Sequence, residues 1–261
     1  MDALLGEYAW FLFFWGMIVL LGTIEFMFPQ FREAPDRIRR WPTNFGLGIL
    51  NGLIVSSFPV LAVASAQWAE SNGVGLLNWL SAPWWIALPC TVLVRSLGHY
   101  AIHVASHKIP LVWRFHRVHH CDVHLDVSSA LRSHPLEMIA ISLIMIPVNV
   151  LCGLSPVVLA IYEGVEAVAN MLTHANIRVP ASVERCVRWL VMTPSLHRLH
   201  HSTFQAETDS NYGNVFSFWD RLFGTYRGET IQPGGSFRFG LDDVSRERAV
   251  EFGSQLGLPW R

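Results

Sequence analysis

Charge is scarce in this sequence. Asp, Glu, Lys and Arg make up 15% of the 261 residues, where an ordinary soluble domain carries roughly 25%. Hydrophobic residues reach 51% and the mean hydropathy is positive, so the deficit points to lipid as the solvent. The net charge is −1, which excludes a general electrostatic attraction to nucleic acid, and no nucleic-acid partner is expected. No CxxC pair occurs. Cys90, Cys121, Cys152 and Cys186 lie far apart and read as free thiols in a reducing setting or in the membrane, not as a disulfide framework. The first residues lack the basic stretch of a signal peptide, and Asp2 and Glu7 lead into an apolar run too long for a signal core, so no cleavable leader is expected. Histidine is missing from residues 1–98 and from 202–261. That absence becomes informative below.

The apolar runs set the architecture. A bilayer core of roughly 30 Å needs about 20 mostly apolar helical residues. Residues 8–28 meet this, 45–68 give a second expected span, and 78–97 a third, interrupted by Pro83 and Pro89. The segment between the first two carries Arg32, Arg37, Arg39 and Arg40, whereas the loop near 70–77 has Glu70 and no Lys or Arg. The positive-inside rule therefore puts the Arg-rich loop in the cytoplasm. Residues 136–173 are one apolar stretch broken at Gly153-Leu-Ser-Pro156 and read as a helical hairpin, each arm about 25 Å long. From about 176 onward the chain turns polar. The expected fold is all-α: an integral-membrane bundle of about four to five hydrophobic helices with a cytosolic, histidine-rich cap. It is read as one domain over 1–261, with spans in 1–97, a catalytic histidine region in 98–228 enclosing the hairpin 136–173, and a C-terminal tail in 229–261.

All twelve histidines fall between residues 99 and 201. His99, His103 and His107 recur every four residues, one helical turn apart on one face, where two imidazoles can bind one metal. The stripe drifts by about 40° per step, so two of the three are better placed than all three. His116, His119 and His120 in WRFHRVHH, and His197, His200 and His201 in PSLHRLHH, are two copies of HxxHH at identical spacing. A basic interfacial helix would use Lys and Arg freely and need no such pattern. His174 ends the returning arm of the hairpin, and Glu163, Glu166 and Asn170 lead to it in steps of three, four and four. Carboxylates in an apolar arm are expensive unless bonded, and their natural role is to accept the outer N–H of a ligating imidazole. His99 and His134 are candidates for ligation or for such support, and His124 reads as a bystander.

The nine candidate ligands are therefore His103, His107, His116, His119, His120, His174, His197, His200 and His201. They are too many for one ion and suit two, with four or five nitrogens each. Imidazole suits iron, zinc, copper and nickel alike. A site at the cytoplasmic end of a helical bundle, between lipid and an aqueous reductant, suits oxygen chemistry on a hydrophobic chain.

In their order and context these motifs resemble the fatty acid hydroxylase/sterol desaturase superfamily. The likeness extends through IPLVWRFHRVHH, SALRSHPLE, THANIRVP, TPSLHRLHH and DSNYGNVFSFWDRLFGTYRG, together about residues 99–228. The resemblance implies a membrane-bound di-iron oxidoreductase of lipid metabolism, with two irons held by those nine histidines. It would use O2 and two electrons to hydroxylate or desaturate a fatty acid, sphingoid, sterol-like or carotenoid substrate. The electrons would come from a separate donor protein, ferredoxin- or cytochrome-type with its reductase. It also implies that Asp209, Asn211, Tyr212, Trp219 and Asp220 brace the third box. Two positions depart from the family pattern: Val104 follows the first His of HxxxH where Arg is usual, and Ala101 stands where an aromatic often lies.

Three other readings are weighed. A metal transporter would spread polar groups through several spans at the midplane. A bis-His haem protein would need opposed single histidines. A membrane zinc hydrolase would need no reductant.

Overall fold

The computed structural model describes residues 2–32, 36–57, 62–231 and 237–261. Among these the chain is helical, with isolated β-bridges and no strand. In chain order the elements are α1 (Asp2–Met27), α2 (Arg37–Ser57), α3 (Ala62–Ser71), α4 (Leu76–Trp79), α5 (Trp84–Lys108), α6 (Pro110–His120), a 3-10 turn (Val127–Leu131), α7 (Pro135–Cys152), α8 (Pro156–His174), α9 (Ala181–Val187) and α10 (Pro194–His200). Short helices follow in the tail.

Local sequence fixes where the helices around the histidines begin. Helices α6, α7, α8 and α10 each start on proline, whose missing N–H and fixed φ suit the first helical position. Ser155 and Thr193 cap α8 and α10 by accepting from Val158 N and Leu196 N. The hairpin turn between α7 and α8 uses Gly153 at φ 65°, the left-handed residue that ends a helix. A Cβ at Gly75 would stand 2.4 Å from Gly153 N, so the α3–α4 turn seats directly on that hairpin.

Among the described residues three helices are long and apolar enough to cross a membrane: Trp10–Met27, Pro135–Cys152 and Pro156–His174. The pair Ala62–Trp79 and Trp84–Lys108, bent by 94°, makes a fourth if taken as one broken span. The expected all-helical bundle is therefore present, with three to four candidate membrane spans among the described residues. The expected span 45–68 is divided between the end of α2 and the start of α3, and residues 58–61 inside it lie outside the described residues. The expected span 78–97 is the first part of a longer helix that begins after the bend at Pro83. Outward faces are apolar, as at Leu12, Val19, Leu143, Leu151, Val157 and Ile161. Inside, Ile18 and Leu21 of α1 pack on Val127, Leu131 and Met171, which ties the first span to the turn between the histidine boxes and to α8.

That turn is held by buried charge. Arg40 is fully buried; its Nε lies 2.5 Å from Asp122 Oδ1, its Nη1 2.9 Å from Asp126 Oδ2, and its Nη2 donates to His124 O and Ser129 Oγ. Burial alone would raise the Asp122 carboxyl, but the Arg40 guanidinium, with help from Arg132, holds it well below the usual carboxylate range. Arg132, also fully buried, donates to Val118 O, Asn44 Oδ1 and Ala249 O. Of the arginines counted above for orientation, Arg40 is thus an internal strut. Replacing Arg40 by Met leaves two buried carboxylates without their cation, which should cost about 3–5 kcal/mol. Melting of the detergent-solubilised protein should fall accordingly, and the triple variant Arg40→Met, Asp122→Asn, Asp126→Asn should recover most of the loss.

Candidate metal centre

The nine histidines singled out above as candidate ligands come together in two groups. His103, His107, His116, His120 and His200 form one, and His119, His174, His197 and His201 the other; within each, one ring nitrogen per residue lies within 4.8 Å of all the rest. Helix periodicity explains the division. In α6, His116 and His120 are one turn apart and join the first group, while His119, about 100° away from His120, turns into the second. In α10 the assignment reverses: His197 and His201 share the second group and His200 crosses to the first. The adjacent rings stand nearly perpendicular, at 87° for His119–His120 and 86° for His200–His201. The groups touch where His120 stacks on His201 with centroids 4.3 Å apart.

Five of the outer nitrogens are tied to acceptors, whereas Nδ1 of His107 and of His197 is buried without a hydrogen-bond partner. His103 Nδ1 donates to Tyr212 O at 2.7 Å, His119 Nδ1 to Arg132 O at 2.9 Å, His174 Nδ1 to Asn170 O at 2.7 Å, and His200 Nδ1 to Ser210 O at 2.8 Å. His116 Nδ1 donates to Glu137 Oε1 at 2.6 Å. Carbonyl and carboxylate oxygens only accept, so Nδ1 carries the hydrogen in each ring and Nε2 keeps its lone pair when the ring is neutral. Burial, reinforced by neighbouring imidazoles, pushes His119, His120, His197 and His201 well below their usual range. The same causes push His200 down to about 3. At neutral pH these rings are uncharged.

The inner nitrogens face one another. In the first group the Nε2 atoms of His103, His107, His116, His120 and His200 are all buried without a hydrogen-bond partner. In the second, Nε2 of His174 lies 3.1 Å from that of His119 and 3.0 Å from that of His197, which is 3.1 Å from that of His201. For His119 and His174 both facing atoms are lone pairs, so this contact is not a hydrogen bond. Nitrogens bound to one ion at about 2.1 Å stand roughly 3.0–3.4 Å apart, so the spacing suits a shared cation. Both groups fit a metal on this ground.

The other candidates are placed differently. His134 caps α7, accepting from Leu136 N, and joins neither group. His99 also joins neither and sits 2.9 Å from Glu166 Oε1. Glu166 pairs with Arg95 at 3.2 Å and Glu163 lies 3.7 Å from the same guanidinium. The carboxylate stripe of α8 therefore meets Arg95 and His99, and the expected support of a grouped imidazole comes from the backbone of Asn170 alone, whose amide side chain donates to Ala130 O. Asp209 lies 3.8 Å from His107 Nδ1 and binds Lys108 at 2.8 Å. Asn211, at φ 54°, donates to Leu196 O and Arg227 O and so ties α10 to the tail. Asp220 receives Tyr212 N and Gly213 N, which sets the Tyr212 carbonyl against His103. Trp219 donates from Nε1 to Ser96 Oγ on α5. Glu137 was not foreseen. The available signal was a carboxylate in the first turn of an apolar helix, directly after SALRSHPL.

A helical bundle with candidate membrane spans, carrying two adjoining clusters of buried imidazoles, defines the class. The chain belongs to the fatty acid hydroxylase family, whose pattern matches residues 88–225, more than half of its length. It is 32% identical over 176 residues to the ornithine lipid hydroxylase OlsE of Rhizobium tropici, covering 66% of this chain and 51% of that one. It is 26% identical to the alkylglycerol monooxygenase of Xenopus tropicalis, covering 82% and 46%, and 24% identical to the fatty acid hydroxylase vlmA of a Lecanicillium species, covering 73% and 55%. The chain spans about half the length of these curated relatives. No solved structure matches it.

Glu137→Gln removes the carboxylate behind His116 while leaving the ring in place. Metal affinity, measured by chelator competition, should fall about 10–100-fold. Glu166→Gln, whose carboxylate meets Arg95 and His99 instead, should leave it unchanged.

Proposed function

We propose that this chain is a membrane-bound, O2-dependent lipid hydroxylase that holds two irons in its two histidine clusters. The observation that carries the proposal is nine buried imidazole nitrogens pooled as five and four. Catalytic zinc takes three protein ligands plus water, so pools of this size favour a redox pair over a hydrolytic ion. Bound there, two irons would supply the chemistry by which O2, two electrons and two protons place one oxygen atom in a C–H bond and the other in water. Relatives named as lipid hydroxylases and a monooxygenase favour hydroxylation over desaturation.

The chain's own residues do the rest. Glu137 keeps the proton at His116 Nδ1, and the Tyr212, Arg132, Asn170 and Ser210 carbonyls keep theirs on His103, His119, His174 and His200. Each inner nitrogen thus stays deprotonated and correctly turned. A cavity of about 150 Å³ reaches rings of both clusters and is walled in part by Ile102, Ala130 and Ile141. It would receive the reacting segment of a hydrophobic substrate and exclude bulk water.

Electrons would come from a separate ferredoxin- or cytochrome-type protein with its reductase, reaching the clusters from the cytoplasmic side. The orientation is supported by Glu25, near the end of α1, which accepts from Val127 N beside the boxes and lies 3.6 Å from Arg37. The Arg-rich segment and the clusters thus share one end of the bundle. A single unit over 1–261 is supported by the tail, where Gln255 meets Cys121 between the boxes at 2.9 Å.

The test is metal analysis joined to product analysis. Purified protein should carry about two irons per chain and insert one oxygen into a lipid only when O2 and reductant are present. His119→Ala and His200→Ala, one from each cluster, should each lose at least one iron and all turnover. Stoichiometric zinc with oxygen-independent hydrolysis, or unchanged iron in both variants, would overturn the reading.

A further inference from the structure

His99 belongs to neither cluster, yet it lines the same cavity as His103, His116, His119, His174 and His197. It lies on α5 one turn before His103, so the two side chains project from one face about 6 Å apart. Its Nδ1 stands 2.9 Å from Glu166 Oε1, and the other oxygen of that carboxylate receives Arg95 Nη2 at 3.2 Å. Arg95 is 4% exposed and Glu166 6%. These charges lie between two apolar helices, where ionisable groups are costly and usually serve a function.

Nδ1 is therefore held beside that carboxylate, although the two are not aligned as a hydrogen bond and Oε1 has no hydrogen-bond partner. The other ring nitrogen, Nε2, is then the one left for an occupant of the cavity. The cavity wall is also not that of a plain hydrocarbon slot: Ser133 and Asn214 share it with the isoleucines. A saturated chain would bury these polar groups without return.

We infer that His99 is a substrate-positioning residue whose Nε2 accepts a hydrogen bond from an O–H or N–H of the lipid. The inference rests on the hydroxylase reading and deepens it. The substrate class becomes a lipid with such a donor within about five bonds of the carbon that is oxidised, the distance spanned by one helical turn. Glu166 lies beside Nδ1, and Arg95 anchors Glu166.

His99→Leu removes the acceptor and leaves the Arg95–Glu166 pair in place, whereas His99→Gln offers an amide oxygen instead. Both are compared with the wild type as iron-loaded protein in nanodiscs, by binding of hexadecan-1-ol and hexadecane and by turnover of the lipid that the wild type hydroxylates. The wild type should prefer the alcohol. His99→Leu should keep full iron content, lose that preference, raise KM about tenfold with a smaller change in kcat, and scatter the position of the new hydroxyl; a tenfold change is what one hydrogen bond supplies. His99→Gln should restore most of it. Unchanged preference and regiochemistry in His99→Leu, or iron loss in that variant, would overturn the inference. Should the wild type hydroxylate no lipid, the functional reading fails, and the alcohol preference with its loss in His99→Leu still decides the role of His99.

Discussion

Everything at this site depends on neutral imidazoles held with one nitrogen outward and the other inward. Two bare lone pairs about 3 Å apart, as between His119 and His174, are unfavourable on their own. The fold tolerates them because α5, α6, α8 and α10 are each placed by other interactions, and because the outer N–H of five rings has an acceptor that cannot move. The backbone carbonyls of Arg132, Asn170, Ser210 and Tyr212 belong to packed segments. Those five rings therefore do not need the metal to set their tautomers.

Supporting this requires order in segments that are neither helix nor membrane span. The stretch between the second histidine box and α7 is braced by Arg40 on Asp122 and Asp126, and by Arg132 on Asn44 and Ala249. Those bonds keep the Arg132 carbonyl where His119 needs it. The tail does the same for α5: Asp220 grips the backbone at Tyr212 and Gly213, and the Tyr212 carbonyl meets His103. Buried ionic struts of this kind add little net stability but are costly to break singly. Here they deliver carbonyls to imidazoles.

Much of this was legible in the chain itself, because helical spacing dictates which side chains share a face. The HxxxH pair and the two HxxHH boxes needed nothing more, and His174 was marked by its place at the end of an apolar arm. Which cluster each ring of a His-His doublet enters was not legible, since helical spacing separates the two rings but does not say which other histidines face them. The role of Glu137 required knowing that the start of α7 lies against His116. The stripe Glu163, Glu166, Asn170 was legible from its spacing, but the partners of its carboxylates, Arg95 and His99, sit on α5, far away in sequence. Hydropathy merged the end of α2 with α3 into one span and missed the 94° bend before α5, because a running average of apolarity is blind to chain direction.

The most direct test of two cation sites built from these rings is anomalous diffraction at the iron absorption edge on crystals of the iron-loaded protein. The account predicts two peaks, one enclosed by His103, His107, His116, His120 and His200 and the other by His119, His174, His197 and His201. A single peak, or peaks lying outside both groups of rings, would contradict it.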